Sequence, residues 1–199
     1  MNPRYIAIEG NIGAGKTTLA TRLAKQFKAR LILEEFDTNP FLPDFYKDKD
    51  RYALAVELHF LTERYRQLRG ELVVNRAEDE IIISDYTFMK SHLFASNNLN
   101  EQEFRLFQTI EQISDAQLPM PDVVLYLHAP SDVLLQRIKM RARSYEQQIK
   151  LEYLDELEQA YQTYLSQMQA PVIRLDTSKT DFSQPDHWKQ LLQAIATPH

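Results

Sequence analysis

Five short runs of strand-forming residues punctuate the chain, at Tyr5–Ile8, Arg30–Leu33, Glu80–Ile83, Val123–Leu127 and Val172–Leu175, and helical stretches separate each from the next. Strands that are apolar on both faces must be covered on both faces. The pattern therefore predicts an α/β fold: a five-stranded parallel sheet with helices on either side. At 199 residues the chain can build one good core. With no repeat, low-complexity tract or linker, a single domain over residues 1–199 is expected. Pro119, Pro121 and Pro130 bracket the fourth run rather than divide domains. In open parallel sheets ligands gather beyond the carboxyl ends of the strands, so the residues after each run are the candidates for chemistry.

The first run is followed by EGNIGAGKTT, Glu9 to Thr18, which holds three of the four glycines in the chain. Gly10, Gly15, Lys16 and Thr17 fit the pattern G-x-x-x-x-G-K-[ST], with Asn11, Ile12, Gly13 and Ala14 inside the loop and Thr18 just after it. In that pattern backbone N–H groups cradle phosphates, the lysine reaches the terminal ones and the hydroxyl meets Mg²⁺. The strand before the loop and the helical recurrence of Leu19, Leu23, Ala24 and Phe27 after it supply the context the pattern needs. That helix would turn its positive end towards the anion. The loop is read as a nucleoside triphosphate site rather than a structural glycine turn.

Carboxylates follow three further runs: Glu34 and Glu35 the second, Asp85 the third and Asp176 the fifth. An acid beside a transferred phosphoryl would repel a phosphate acceptor but could take the proton of an attacking hydroxyl. Glu35 reads better as a solvated neighbour. Glu57 and Arg64 lie about two helical turns apart, on the face that carries Leu54, Phe60, Leu61 and Leu68. They meet either a ligand that has both donors and acceptors or polar groups of neighbouring helices, and the spacing leaves both open. Arg137, Arg141 and Arg143, in RIKMRARSYE after a predicted helix, suit phosphate oxygens in a closing lid or, equally, a solvated helix end.

Composition narrows the partners. A net charge of −5 speaks against nucleic acid, and no apolar run reaches the roughly 18 residues of a membrane span. No signal-peptide pattern precedes the first strand. With no cysteine, disulfides, thiol catalysis and thiolate metal sites are excluded. A cytoplasmic location is the expectation.

Taken together, YIAIEGNIGAGKTTLA, LEEFDTNPFLPDFY, ELHFLTERYRQL, SDYTFMKSHLFA, DVVLYLHAP, RIKMRARSYE and LEYLDELEQAYQTYL occur in the order and spacing of the deoxynucleoside kinases, and the chain resembles the bacterial deoxyguanosine and deoxyadenosine kinases of that family nearly end to end. The resemblance implies a P-loop kinase fold with an arginine-rich lid, ATP as phosphate donor, Mg²⁺, and transfer to the 5′-hydroxyl of a deoxynucleoside in nucleotide salvage. Glu34 would be the general base, with Lys16, Arg137 and Arg141 also catalytic. Tyr46 and Glu146 would hold the 3′-hydroxyl, and Glu57 and Arg64 the base. Arg137, Arg141 and Arg143 would form the lid, and DTSKTDF, with Asp176, Asp181 and Phe182, would surround the adenine of ATP. The family also implies a homodimer.

Two departures stand out. Where many members carry Asp-Arg-Ser or Glu-Arg-Ser, this chain reads Ser84-Asp85-Tyr86-Thr87, and Asp85 is assigned to Mg²⁺ with Thr17 because it ends a strand beside the phosphate loop. Lys90 stands where many members have an aspartate facing the base, and Glu57 where many have glutamine. An ionised glutamate only accepts hydrogen bonds. Guanine offers it N1–H and an exocyclic amine, leaving O6 and N7 for Arg64 or Lys90, so deoxyguanosine is favoured, with deoxyadenosine next. A thymidylate-like monophosphate kinase would need basic groups where Glu34 stands. A GTP-binding switch would need Asp-x-x-Gly after a strand, which is missing although SKTD at Ser178–Asp181 resembles its guanine motif.

Overall fold

The computed structural model describes residues 3–115 and 118–197. The chain runs β1 (Tyr5–Gly10), α1 (Lys16–Phe27), β2 (Arg30–Ile32), a helical turn at Phe36–Thr38, α2 (Leu42–Phe45), α3 (Lys49–Arg69), a π-turn at Gly70–Val74, β3 (Ile82–Ser84), α4 (Lys90–Asn98), α5 (Glu101–Asp115), β4 (Val123–His128), α6 (Ser131–Arg141), a turn at Ser144–Gln148, α7 (Leu151–Ser166), β5 (Val172–Asp176) and α8 (Pro185–Ala196). All five expected strands form, in one parallel sheet of order β2-β3-β1-β4-β5. The third begins at Ile82 rather than Glu80, whose carboxylate is drawn into a cluster with Arg30 and the Ala77 N–H.

Period-two alternation decides which face each side chain covers. Ile6, Ile8, Ile83, Leu125 and Leu127 turn to one side, where they meet Leu19, Leu23, Leu134, Ile138, Leu191 and Ile195 from α1, α6 and α8. Tyr5, Ala7, Ile82 and Val124 turn to the other, against Leu61 and Leu68 of α3 and Phe107 of α5. Tyr126 packs with Leu93 of α4 and with Leu157, Tyr161 and Leu165 of α7. Each buried Leu or Ile on these layers stabilises the fold by about 1.5–3 kcal/mol relative to exposure, so the two hydrophobic layers fix the sheet and, with it, the strand ends.

The chain leaves β1 for the β2 edge and later crosses back over β1 to β4, which makes the carboxyl end of β1 the point where strand order reverses. Gly10 sits there at φ 149°, and a Cβ on it would lie 2.3 Å from the Leu127 carbonyl oxygen. Only glycine lets the strand turn into a loop so close to β4. Among the described residues no helix is long and apolar enough to cross a membrane.

Candidate active site

The loop between β1 and α1 is held from two sides. Buried Asn11 donates its amide to the Leu154 carbonyl of α7 at 2.8 Å and accepts from the Ile12 N–H at 2.8 Å. Lys16, the first residue of α1, folds its ammonium back onto the loop, donating to the Gly10 and Asn11 carbonyls at 2.8 and 3.1 Å. Burial lowers this lysine to about 8, and Lys90 adds to the effect, while Glu9, Glu34 and Asp85 oppose it. A phosphate in the loop would replace those carbonyls with a full negative charge.

Asp85, at the end of β3, joins three elements. Its Oδ2 accepts from Thr17 Oγ1 at 2.6 Å and its Oδ1 from the backbone N–H of Glu34 at 2.8 Å. A hydroxyl and a carboxylate side by side at the helix start suit a small hard cation that takes oxygen ligands. Among the described residues there is no cluster of three or more His, Cys, Asp or Glu able to hold a metal alone. An ion at Thr17 and Asp85 would therefore complete its shell with phosphate oxygens and water, the usual habit of Mg²⁺.

Glu34 follows β2 and lies between two cations. Its Oε1 accepts from Arg64 Nε at 2.8 Å and lies 2.6 Å from Arg64 Nη2, and its Oε2 accepts from Lys90. Burial alone would raise this carboxyl, but the Lys90 ammonium and the Arg64 guanidinium hold it well below the usual carboxylate range. Arg64 also donates to Ser91 Oγ at 3.0 Å. In this structure Arg64 thus meets Glu34 and Ser91, and its guanidinium lies 4.8 Å over the Phe60 ring.

Glu57 lines the same cleft. The cleft, about 760 Å³, is lined by Lys16, Thr17 and Glu34 and by the apolar side chains of Leu42, Phe45, Val56, Phe60 and Phe94. Glu57 Oε1 accepts from Asn98 Nδ2 at 2.7 Å, while Oε2 is buried with no partner. Burial pushes this carboxyl up to about 7; Asn98 and Arg64 oppose the shift. The spacing argument for α3 is met, since Glu57 and Arg64 are both buried on the cleft side, although Leu54 is only partly buried and Ala53, Val56, Leu61 and Leu68 form the apolar face.

Tyr46 and Glu146 meet near the mouth. Burial pushes the Tyr46 phenol well above its ordinary range, and its ring stacks on Tyr145 at 6.2 Å. Glu146 is buried and accepts from Arg141 at 2.6 Å and Arg143 at 3.3 Å; Arg143 lies 3.8 Å over the Phe36 ring. Arg137 and Arg141 fall within α6 rather than after it, because Leu134 and Ile138 keep that helix anchored to the core through its last turn.

Arg137 faces a second cleft, of about 750 Å³, on the other side of the phosphate loop, with Gly13, Gly15, Thr18, Asp181 and Phe182. It donates to Thr177 Oγ1 at 2.8 Å and to the Thr177 carbonyl at 2.7 Å. The Asp176 carboxylate turns onto its own loop, accepting from Ser178 and pairing with Lys179, and it lines neither cleft. Asp181 accepts from the N–H and hydroxyl of Ser183 at 2.8 Å each. The sequence reading missed Arg22, which lies 3.9 Å over the Trp188 ring and donates to the Phe182 carbonyl. It also missed Asn98, Phe94 and Glu9. Glu9 alone had a local signal, a carboxylate inside an apolar strand; buried, it accepts from the Thr87 N–H and hydroxyl at 2.7 Å each and from Tyr161 at 3.1 Å.

A parallel sheet, a lysine-bearing glycine loop at its switch point, and an acid facing that loop define a P-loop phosphotransferase. The chain matches the deoxynucleoside kinase family over residues 6–197 and belongs to it. It is 34% identical over 183 residues to the deoxyguanosine kinase of Bacillus subtilis (strain 168), covering 89% of this chain and 88% of that one. Over 194 residues it is 34% identical to the deoxyadenosine kinase of Dictyostelium discoideum, covering 96% and 78%. The structure of a deoxyadenosine kinase from M. mycoides with bound dATP superposes with a TM-score of 0.82 at 26% identity, covering 96% of this chain and 99% of the other. The protein is a kinase of deoxynucleosides.

Proposed function

We propose that the protein transfers the γ-phosphoryl of ATP to the 5′-hydroxyl of a purine deoxynucleoside, with deoxyguanosine ahead of deoxyadenosine. The observation that carries this reading is the chain of contacts from Thr17 through Asp85 to Glu34, which brings an ionised carboxylate to the phosphate loop. Relatives named for both purines support the substrate class. In a single catalytic unit, the cleft around Glu34 takes the deoxynucleoside, and the cleft around Arg137 takes the donor.

Glu34 accepts the 5′-hydroxyl proton as the 5′-oxygen bonds to the γ-phosphorus, and the bond to the β,γ-bridging oxygen breaks, releasing ADP. A carboxylate held ionised by two cations is a weak base, so positioning and charge neutralisation do most of the work. Lys16 swings from the loop carbonyls to the terminal phosphates. Arg141 and Arg143, now on Glu146, supply cationic groups at the mouth, while Tyr46 and Glu146 receive the sugar 3′-hydroxyl. Thr17 and Asp85 would hold Mg²⁺, which neutralises phosphate charge when bound.

The test is Mg²⁺·ATP-dependent phosphorylation of a panel of the four deoxynucleosides, their monophosphates and the matching ribonucleosides. The highest kcat/KM is expected for deoxyguanosine, then deoxyadenosine. Turnover on monophosphates alone would overturn the reading and remove Glu34 as the base.

A further inference from the structure

Glu57 is the least explained charged group in the cleft. It is 1% exposed, one of its oxygens is fixed by Asn98, and the other is buried with no partner. A buried acceptor left open costs about 1–3 kcal/mol, and this one belongs to a cleft that the rings of Phe60 and Phe94 also line. Such a slot fits a flat heterocycle that offers Oε2 a hydrogen bond. This inference rests on the reading above, that this cleft takes the deoxynucleoside.

The two purines ask different things of that oxygen. Guanine presents N1–H and an exocyclic N–H side by side, two donors for the two oxygens of a carboxylate. Adenine presents one N–H and, next to it, the N1 lone pair, which a carboxylate repels and a carboxylic acid satisfies. Asn98 decides where the proton resides. Its Nδ2–H occupies a lone pair of Oε1, so a proton on Glu57 sits on Oε2, the atom that faces the base. Asn98 is itself buried at the end of α4, and its Oδ1 accepts from Asn97 Nδ2 at 3.4 Å, which leaves its Nδ2 turned to the carboxyl group.

We propose that Glu57 discriminates between the purines by its own protonation, taking guanine as a carboxylate and adenine as a carboxylic acid, with Asn98 as the positioning residue that presents Oε2. Charged and titratable groups face it from every side: Arg64 on its own helix, Glu34 from the loop after β2, Lys90 from α4 alongside Asn98, Tyr46 after α2, and Tyr153 on α7. Burial is the largest influence and favours the neutral form, which brings the group to about 7, so both forms are populated near neutrality. The purine preference is then a function of pH and not a fixed property of the site.

The measurement is the ratio of kcat/KM for deoxyadenosine to that for deoxyguanosine between pH 6 and 8.5 at saturating Mg²⁺·ATP. Effects of pH on the donor and on transfer cancel in the ratio. It should fall roughly a hundredfold from pH 6 to 8, because the proportion of acid to carboxylate on one titrating group falls about tenfold for each pH unit. In Glu57→Gln the ratio should be flat, and in Asn98→Leu the whole curve should shift to higher pH, because the carboxylate loses a donor. Binding is read independently by calorimetry at pH 7.5 in two buffers of different ionisation enthalpy, where deoxyadenosine should take up a proton and deoxyguanosine should not. A flat ratio in the native enzyme, or deoxyadenosine binding without proton uptake, overturns this inference and leaves the kinase assignment standing. Phosphorylation of neither deoxynucleoside overturns the assignment itself.

Discussion

The cleft around Glu34 and the cleft around Arg137 share one phosphate loop, yet they are held together by different physics. In the first, Glu34, Arg64 and Lys90 have side chains only 13%, 4% and 6% exposed, and each charge depends on the others. The second is bordered by the loop after β5, where Lys179 is 83% exposed beside Asp176 and short local hydrogen bonds join Asp176 to Ser178 and Asp181 to Ser183. Buried, mutually dependent charges make geometry exact and make the loss of any one costly. Solvated local bonds allow a loop to open and close at little cost. A site that must exclude water from one substrate and release a nucleotide from the other would use both.

The sharpest way to break this contrast is Glu34→Gln. Removing the carboxylate leaves Arg64 and Lys90 buried and unpaired, with an expected loss of about 3–5 kcal/mol in denaturant unfolding and a fall in turnover of roughly 10²–10⁴-fold. ATP binding should change far less. Combining Glu34→Gln with Lys90→Met should return much of the stability but not the turnover. Unchanged turnover in the single variant would show that Glu34 is not the base. Because the Glu34 carboxyl is depressed in the folded state, its contribution is complete above the ordinary carboxylate range and is lost only as pH falls below it. The kcat profile should therefore carry no acid limb from Glu34 above about pH 5.

Glu57 tests the same cleft with the opposite sign. Its folded value is raised, so it favours folding below its unfolded value and costs stability as pH climbs from about 4.3 to about 7. Glu57→Gln should therefore stabilise the free protein at pH 8 by roughly 2–4 kcal/mol and change it little near pH 4, measured by thermal or denaturant unfolding. An equal effect at both pH values would mean that Glu57 is solvated and that the cleft is less closed than Glu34 implies.

Lys16 lines the Glu34 cleft just after the loop whose Gly13 lines both. The ammonium form is the one that would bind phosphate, and burial lowers the free lysine to about 8. ATP affinity should hold below pH 8 and fall roughly tenfold between pH 8 and 9.5, read by direct binding without acceptor. A flat profile would place Lys16 in water and not against the Gly10 and Asn11 carbonyls.

How much of this was legible in the sequence follows from the range of each interaction. The strands were visible because a two-sided apolar run carries its own signal, and Lys16, Thr17, Glu34 and Asp85 because each sits at a fixed step from a strand end. Asn98 and Phe94 were not, since Asn98 reaches Glu57 and Phe94 lines the cleft only through the way α4 packs on α3, and no local pattern encodes that packing. Asp176 was placed by the same strand-end rule as Glu34, but a serine two residues on gave its carboxylate a nearer partner. A strand-end acid is a candidate only until its own loop can satisfy it.

The smallest effect expected, and the one that most directly probes the second cleft, is that of Arg22→Ala. Arg22 rises from α1, stacks on Trp188 of α8 and holds the Phe182 carbonyl, so it ties the loop after β5 to the helix that carries the phosphate loop. A partly exposed cation–π contact contributes about 0.5–1 kcal/mol, which corresponds to roughly a twofold to fivefold rise in the KM for ATP. The KM for the deoxynucleoside should stay unchanged, because Arg22 lines the second cleft and not the one around Glu34. A comparable rise for both substrates would mean that the two clefts are coupled through α1, and the separation drawn between a rigid charged pocket and a loosely tied loop would have to be abandoned.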